Sequence, residues 1–391
     1  MEINWMIIIW LLPVAAFSGW LYGRRGNTSS STSFKDRLHP EYFKGLNYVL
    51  NEQPDKAIEV FVKMLEVDSE TVETHLALGN LFRRRGEVDR AIRIHQNLIA
   101  RPNLNREQRA LALLELGMDY MRSGLFDRAE SLFIELVETG LYAVAAFTEL
   151  LDIYQQEKDW KNAITTARQL ELSSGRSLKK NIAHFYCEQA CELRTHGQDR
   201  GARELLKKAI NIDANCVRAS LIEADIFKEE GKYKQAIQLY KRVERQDAEY
   251  IPEAIPPLLE CYRQLEKLDE FRDYLRTIVD KHGGITPMIM LVELIAEQDG
   301  EEEAIKSITA ELKKRPTVRG VDRLIEYSLI PAQGKAKDDL MTIKDLTGKL
   351  LENRPIYQCS YCGFDTKALH WQCPGCKDWN TVKPIHGVEG E

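Results

Sequence analysis

The sequence predicts an all-α protein: a superhelix of stacked helix hairpins with an N-terminal transmembrane helix and a small C-terminal metal-binding knuckle. Three observations predict this class. They are an uncharged apolar stretch at the amino terminus, a motif that recurs every 33 to 39 residues, and four cysteines within eighteen residues near the carboxyl terminus. The 391 residues include 54 basic and 60 acidic side chains, a formal net charge of −6. This balance argues against a polycationic nucleic-acid binder.

The amino terminus has the properties of a membrane anchor. Residues 3–22 contain no charged side chain, and a helix of that length, about 30 Å, matches the hydrocarbon core of a bilayer. The alternative, a cleaved signal peptide, would begin with basic residues, whereas here the second residue is acidic. Arg24 and Arg25 follow the span, so the positive-inside rule places the rest of the chain in the cytoplasm. We expect an anchor over residues 1–23 and a flexible linker over 24–40.

The middle of the chain, residues 41–316, repeats one motif about eight times. A large apolar residue stands nine positions before each repeat's anchor position, and further apolar residues follow the anchor by four. Residues three and four apart share one helix face, and a glycine between two such runs marks a chain reversal. One hairpin cannot bury its own apolar stripe, so neighbouring hairpins must stack. The anchors are Ala57, Ala91, Ala129, Ala163, Ala202, Ala236 and Ala304, with Phe271 in the seventh position.

These hairpins resemble the tetratricopeptide repeat. Leu116-Gly117, Tyr120, Ala129 and Phe133 reproduce its consensus of L-G-x2-Y followed by A-x3-F. The resemblance implies a binding groove lined by the first helix of each hairpin. The candidate groove contacts are Asn80, Arg83, Arg84, Arg194, Lys228 and Arg263. The alternative is that these are ordinary solvated side chains.

Prolines complicate the seventh repeat, where Pro252, Pro256 and Pro257 should make its first helix begin late or kink. Residues 317–354 are predicted to form capping helices, and a metal-binding domain over residues 355–391 is predicted to pack against them.

Two C-x2-C knuckles near the carboxyl terminus predict a site for one metal ion. Cys359, Cys362, Cys373 and Cys376 have the spacing of a tetrahedral four-thiolate site, which leaves no open coordination position. So short a segment has too small a core of its own, and metal binding would supply about 10 to 16 kcal/mol of folding free energy. The other four cysteines, Cys187, Cys191, Cys216 and Cys261, are expected to be small buried residues.

The knuckles resemble those of rubredoxin, with Cys359-Ser360-Tyr361-Cys362-Gly363 first and Cys373-Pro374-Gly375-Cys376 second. Two features depart from that pattern. The interval between the knuckles is shorter, and Lys377 replaces the glycine that usually ends the second knuckle. The resemblance implies iron, whereas ligand chemistry alone permits zinc at least as readily.

The order of anchor, repeat array and terminal knuckle resembles the bacterial lipopolysaccharide assembly protein B family. The resemblance implies a single-pass inner-membrane protein with its bulk in the cytoplasm. It would act as an adaptor that promotes proteolysis of the lipid A pathway deacetylase by a membrane-bound ATP-dependent zinc metalloprotease. An inner-membrane antagonist and proteins of lipopolysaccharide synthesis and export would be further partners. Whether the adaptor forms a homodimer is left open.

Two other functions compete with the adaptor. In the first, a membrane-tethered, rubredoxin-like protein transfers electrons through an iron knuckle. In the second, the arginine-rich segment 83–109 binds RNA, which the overall acidity disfavours. The phosphate-binding loop, the zinc-protease motif H-E-x2-H and the nucleophile motif G-x-S-x-G do not occur in the sequence. We therefore predict that the protein is not an enzyme.

Overall fold

A computed structural model describes residues 40–67, 72–352, 354–388 and 390. The predicted membrane anchor, residues 1–23, and the linker up to residue 39 lie outside the described residues. Among the described residues, no helix combines the length and the apolar character that a membrane span requires. The chain divides into two units, Met1–Tyr142 and Ala143–Glu391.

The first unit consists of helix hairpins. Its described helices are α1 (Pro40–Leu50), α2 (Pro54–Val67), α3 (Val72–Arg85), α4 (Val88–Ile99), α5 (Arg106–Ser123) and α6 (Phe126–Thr139). The glycines of the repeat motif lie where two helices touch. A β-carbon on Gly117 would lie 2.5 Å from a ring carbon of Phe133, and one on Gly45 would lie 2.7 Å from Phe61. The small residue and the aromatic residue sixteen positions later are therefore two halves of one close contact.

The second unit continues the hairpins through twelve helices among its described residues. They are α7 (Ala143–Gln156), α8 (Trp160–Ser174), α9 (Lys179–Thr195), α10 (Asp199–Ile212), α11 (Val217–Glu229), α12 (Tyr233–Gln246), α13 (Ile251–Gln264), α14 (Leu268–His282), α15 (Ile285–Asp299), α16 (Glu301–Lys314), α17 (Val318–Leu329) and α18 (Lys335–Glu352). The exceptional anchor Phe271 is fully buried and stacks on Tyr262 with ring centroids 5.2 Å apart. The aromatic ring fills the space that an alanine leaves in the other repeats.

The helix of the seventh repeat tolerates its prolines without a delayed start. A 3-10 turn over Ala248–Tyr250 leads directly into α13, which begins at Ile251, so the predicted late start is wrong. Pro252 stands in the first turn, where its missing amide hydrogen has no intrahelical role. Pro256 and Pro257 lie inside the helix, where neither can donate the usual hydrogen bond to the carbonyl group four residues before it.

After α18 the chain forms a small three-stranded antiparallel sheet with strand order β2-β1-β3. The strands are β1 (Tyr357–Cys359), β2 (Asp365–Thr366) and β3 (Val382–Pro384). The described protein is thus an all-α array of tetratricopeptide type with a small metal-binding knuckle, and only the knuckle contains strands. We call residues 355–388 and 390 the metal module.

Candidate metal centre and the surface that holds it

Both knuckles of the metal module use the same backbone hydrogen bonds. In each, the amide of the first cysteine donates to the carbonyl five residues later, and its own carbonyl accepts from the amide four residues later. These bonds measure 2.9 Å for Cys359 with Phe364 and Gly363, and 2.8 and 2.9 Å for Cys373 with Asp378 and Lys377. The repeated geometry turns the two cysteine pairs towards one point.

The four predicted ligand sulfurs lie together, with all Sγ atoms within 4.8 Å of one another. Cys359 Sγ is 3.7 Å from Cys376 Sγ, and Cys362 Sγ is 3.6 Å from Cys373 Sγ. A tetrahedron of thiolates with metal–sulfur bonds of about 2.3 Å has edges of about 3.8 Å. The donor set therefore fits one zinc or iron ion, and it does not distinguish between them.

Hydrogen bonds to sulfur prepare Cys359 to be a thiolate. Burial by itself would raise the pKa of Cys359, but the Thr381 hydroxyl and the amides of Cys362 and Tyr361 outweigh it and lower the pKa to about 6. The Thr381 oxygen lies 3.3 Å from Cys359 Sγ. Donors of this kind favour the charged ligand and orient it towards a cation.

The metal module is held by Trp379, whose ring is almost completely buried among helices of the second unit. The ring stacks on His184 at 5.1 Å and meets the edge of Phe185 at 5.8 Å. Its Nε1 donates a 2.9 Å hydrogen bond to the Gln155 side chain. One tryptophan of the second knuckle thus joins α7 and α9 to the metal module.

A second aromatic contact involves Trp371, which packs on Tyr250 with ring centroids 5.2 Å apart. The Arg218 guanidinium lies 5.9 Å from the Trp371 ring and 6.0 Å from the Trp379 ring, and it forms an ion pair with Glu188 at 2.7 Å. Arg218 is buried, so this cation–π contact is a desolvated one, a type worth about 2 kcal/mol or more.

Polar contacts complete the docking. The Tyr250 hydroxyl donates to the Asn380 side chain at 2.8 Å, and the Tyr357 hydroxyl donates to Glu253 at 2.5 Å. Lys383 pairs with Asp247 and Glu249, and it lies over the Tyr250 ring. These partners lie in or next to α12 and α13.

The metal module therefore packs mainly on helices α7 to α13, where the sequence placed it against residues 317–354. Two hydrogen bonds join the metal module to that segment: the Val318 amide donates to the carbonyl of Val388, and Lys367 donates to the carbonyl of Glu352. The prediction was incomplete, because the other packing partners, Gln155, His184, Arg218 and Tyr250, carry no motif. The tryptophans flanking the second knuckle were the one available signal.

His184 lies at the centre of this surface. Burial first, and then the positive charges of Arg218 and Lys180, lower the pKa of His184 to about 3. The imidazole is therefore neutral at physiological pH, as expected for a buried ring that stacks on a tryptophan.

The predicted groove cations form ion pairs between successive repeats. Asn80 accepts a 2.8 Å hydrogen bond from Arg83, whereas Arg84 is exposed. The ion pairs are Arg83–Glu115 at 2.6 Å, Arg194–Glu229 at 2.7 Å, Lys228–Glu260 at 2.8 Å and Arg263–Glu297 at 2.6 Å. Such pairs join neighbouring first helices, and contact of these residues with a ligand stays a prediction.

One of these cations belongs to a buried polar cluster in the first unit. Arg83 also pairs with the buried Asp119 at 2.8 Å, and Asp119 contacts His95 Nδ1 at 2.6 Å. His95 occupies the position that holds an aromatic residue in the best repeats, and Gly79 packs directly against its ring. The repeat pattern by itself does not reveal this network.

Comparison with known proteins matches these parts. Residues 357–384 match a family described as a rubredoxin metal binding domain, residues 74–109 and 187–251 match tetratricopeptide repeat families, and residues 119–141 match a PPR repeat. A solved structure of the C-terminal part of a TPR repeat-containing protein from Cytophaga hutchinsonii aligns with a TM-score of 0.38 at 13% identity, covering 68% of this chain and 98% of that chain. The fold and the site define a tetratricopeptide-repeat protein with a rubredoxin-type metal-binding domain.

Curated relatives extend the match to the whole chain. Lipopolysaccharide assembly protein B of Escherichia coli K12 is 41% identical over 385 residues, which are 98% of this chain and 99% of the relative. The protein of the same name from Haemophilus influenzae is 36% identical over 393 residues, again 98% and 99% of the two chains. The chain belongs to the lipopolysaccharide assembly protein B family.

Proposed function

We propose that this protein is an adaptor that regulates lipopolysaccharide biosynthesis from the cytoplasmic face of the bacterial inner membrane. The observation that carries the proposal is the 41% identity to lipopolysaccharide assembly protein B of Escherichia coli over 98% of this chain. The adaptor brings the lipid A pathway deacetylase to a membrane-bound ATP-dependent zinc metalloprotease and so lowers lipopolysaccharide output. An inner-membrane antagonist limits this activity, and proteins of lipopolysaccharide synthesis and export are further partners.

The chemistry of the site supports a binding role over a catalytic one. Four thiolates complete a tetrahedral coordination shell, so a metal held by Cys359, Cys362, Cys373 and Cys376 has no position left for a substrate. When bound, the ion supplies cross-linking of the two knuckles. The chain's own residues then fix the metal module on the repeats through Trp379 and Trp371.

Tethering explains how such an adaptor speeds proteolysis. Two proteins held on one scaffold by short flexible connections meet at an effective concentration in the millimolar range. Confinement of the adaptor and the protease to one membrane adds to this effect. The adaptor needs no covalent step of its own.

Removal of the anchor tests the tethering directly. Deletion of residues 1–22 should leave a folded soluble protein that no longer shortens the half-life of the deacetylase, measured by pulse-chase in cells. As a control, an unrelated transmembrane helix in place of residues 3–22 should restore the effect if the anchor is only a tether. If the deacetylase half-life with the truncated protein is as short as with the full-length protein, the proposal is contradicted.

Photo-crosslinking identifies the partners. A photoreactive residue at the exposed Arg84 or at Arg263 should trap the protease or the deacetylase in cells. The control is the photoreactive residue at position 172. Leu172 is 80% exposed and lies on α8, the second helix of its hairpin. Trapping of neither protein from either groove position, while other cytoplasmic proteins are trapped, would reject these residues as groove contacts.

One observation supports the electron-transfer alternative, namely that Cys362 is exposed at the surface of the metal module. An iron site that exchanges electrons needs such an edge. A redox titration of the purified protein separates the two functions: a reversible one-electron wave supports electron transfer, and a zinc-loaded protein without a wave supports the adaptor.

A further inference from the structure

Two cysteines outside the metal module form a thiol pair in the second unit. Cys187 lies on α9, and Cys216 stands directly before the first residue of α11. Their Sγ atoms are 3.8 Å apart, and the two residues are 0% and 2% exposed. Alanine is the commonest residue in the same core cluster, so packing here requires only a small side chain and no sulfur. The proposed function does not use this pair.

The two thiols differ in chemical character. The hydrogen bond from Cys187 lowers the pKa of the Cys216 thiol, and the nearby Ala219 amide and the Arg218 charge lower it further, against the effect of burial. Burial raises the pKa of Cys187. Cys216 is therefore the nucleophile of the pair, and Cys187 is the thiol that keeps its proton. A thiolate at a helix amino terminus beside a cation is the usual arrangement of a reactive cysteine.

Cys216 lies next to the surface along the chain, although its side chain is buried. The two residues before it, Ala214 and Asn215, are exposed and form the turn between α10 and α11. Turns of this kind open locally at a smaller cost in free energy than helix interiors do. A molecule as small as hydrogen peroxide needs only such an opening to reach the sulfur.

We propose that Cys187 and Cys216 are a modification site at which hydrogen peroxide forms a reversible disulfide bond. The Cys216 thiolate attacks one peroxide oxygen and becomes a sulfenic acid. The O–O bond breaks, and the other oxygen leaves as hydroxide, which takes up a proton to become water. The Cys187 sulfur then attacks the Cys216 sulfur, and the sulfenic hydroxyl leaves with the Cys187 proton as a second water. Two thiols are oxidised, and one peroxide is reduced to two water molecules.

The geometry favours this pair over the third thiol nearby. The sulfurs of a disulfide are about 2.05 Å apart, and rotation about the two Cα–Cβ bonds can supply most of the missing approach. Cys191, one helix turn after Cys187, is half-buried and so more accessible. Burial raises the pKa of Cys191, which keeps its thiol protonated. Cys191 is therefore an internal reference that separates reactivity from exposure.

The disulfide bond lies beside the docking surface of the metal module. Glu188, the residue after Cys187, pairs at 2.7 Å with Arg218, two residues after Cys216. Arg218 in turn contacts both tryptophans of the metal module. A bond between the sulfurs joins α9 to α11, the helices that carry this ion pair, so oxidation fastens the docking surface. This inference does not rest on the adaptor function.

Peptide mapping of the purified full-length protein tests the pair. The protein is titrated with hydrogen peroxide, alkylated, and cut with trypsin and a glutamate-specific protease. Cleavage after Glu188 puts Cys187 and Cys191 in separate peptides. We expect a linked Cys187–Cys216 peptide at a peroxide concentration at least about tenfold below the one that oxidises Cys191. Dithiothreitol should return the linked peptide to two thiols.

Substitutions separate the roles of the two cysteines. In the Cys187→Ser variant the Cys216 sulfenic acid has no partner, so it should persist and react with dimedone. In the Cys216→Ser variant Cys187 should remain a thiol and give no dimedone adduct. Cys191→Ser is the matched control, because it removes a neighbouring thiol and should leave the linked peptide unchanged.

Three results overturn the inference. They are oxidation of Cys191 at or below the peroxide concentration that links the pair, a link between Cys187 and Cys191, and a dimedone adduct on Cys187 in the Cys216→Ser variant. None of these measurements involves the protease or the deacetylase, so failure of the proposed function is distinguishable from failure of the disulfide.

Amide hydrogen exchange tests the effect on the docking surface. Exchange in α9 and α11 should slow by about tenfold in protein that carries the disulfide, because the bond restricts the opened chain. The same peroxide treatment of the Cys187→Ser variant should not slow it. Equal or faster exchange in the disulfide-bonded protein would overturn the fastening of α9 to α11.

Discussion

Among single residues, Lys377 has a strained backbone, because it adopts a left-handed conformation that suits glycine. It has φ of +63°, and its counterpart in the first knuckle, Gly363, has φ of +75°. A left-handed conformation costs about 1 to 2 kcal/mol in a residue with a β-carbon and almost nothing in glycine. The two knuckles share one backbone geometry, and the second maintains it against this cost.

Lys377→Gly should therefore stabilise the metal module by about 1 kcal/mol. We would measure the urea midpoint at which the full-length protein releases its metal to a coloured chelator. Lys377→Ala is the control, since it removes the charge and keeps the strain, and it should give no gain. Equal midpoints for the glycine and alanine variants would show that the charge, rather than the backbone, matters.

The depressed pKa of His184, about 3, makes stability depend on pH. Unfolded histidine has a pKa near 6.5, so the folded protein binds fewer protons than the unfolded chain between these values. Folding is therefore destabilised as the pH falls below about 6.5. Above that pH the group is neutral in both states and contributes no pH dependence.

His184→Phe should remove this dependence and keep the stack on Trp379. Between pH 7.5 and 5.5, the unfolding midpoint of the wild-type protein should fall relative to that of the variant. We would compare urea unfolding at the two values, in a range where the metal stays bound. A constant difference between the two proteins would mean that another group causes the pH response.

Within helices, the glycines of the repeat motif separate two effects. Gly117 lies under Phe133, where a β-carbon would come within 2.5 Å of the ring, while Gly348 of α18 has open space around it. Close packing requires a glycine at position 117, whereas at position 348 there is room for a side chain. Sequence patterning shows that both are helical, and contacts alone tell them apart.

Gly117→Ala should destabilise the first unit by about 1 to 3 kcal/mol, the usual cost of overpacking. Gly348→Ala should stabilise its helix by about 0.5 to 1 kcal/mol, because alanine has less freedom to lose on folding. Thermal unfolding followed by circular dichroism measures both changes. A loss of stability from Gly348→Ala would show that the space around Gly348 is not open in the folded protein.

In the whole molecule, the metal and the repeats depend on each other through the buried Trp379. Truncation of a buried aromatic side chain of this size costs about 3 to 5 kcal/mol. Loss of the metal should have a similar effect, because without it the short knuckles cannot hold Trp379 and Trp371 in place.

Replacement of all four ligand cysteines by serine should leave the repeats helical but release the docking surface. Amide hydrogen exchange in α9 and α11 should accelerate by about 100-fold or more, which corresponds to about 3 kcal/mol. Tyr361→Ser, at a side chain of the first knuckle that is 76% exposed, should not change it. Unaltered exchange in the four-serine variant would mean that the metal module docks without its ion.

The sequence by itself determined the repeat array and the four metal ligands, because both are encoded locally. A helix hairpin needs small and aromatic residues at fixed spacing, and a tetrathiolate site needs two C-x2-C knuckles. The position of the anchor Phe271 also followed from this patterning. Cys187, Cys216 and Cys261 are buried as expected, whereas Cys191, expected to be buried too, is only half-buried because it lies at the edge of its core cluster.

Only the tertiary structure decided where the metal module packs. Gln155 and Trp379 are 224 residues apart, and His184 and Arg218 have no motif that would pair them with tryptophan. The same holds for Asp119, because no spacing in the sequence pairs it with His95. Local spacing specifies an element, whereas contact between distant elements depends on shapes and charges that meet only after folding.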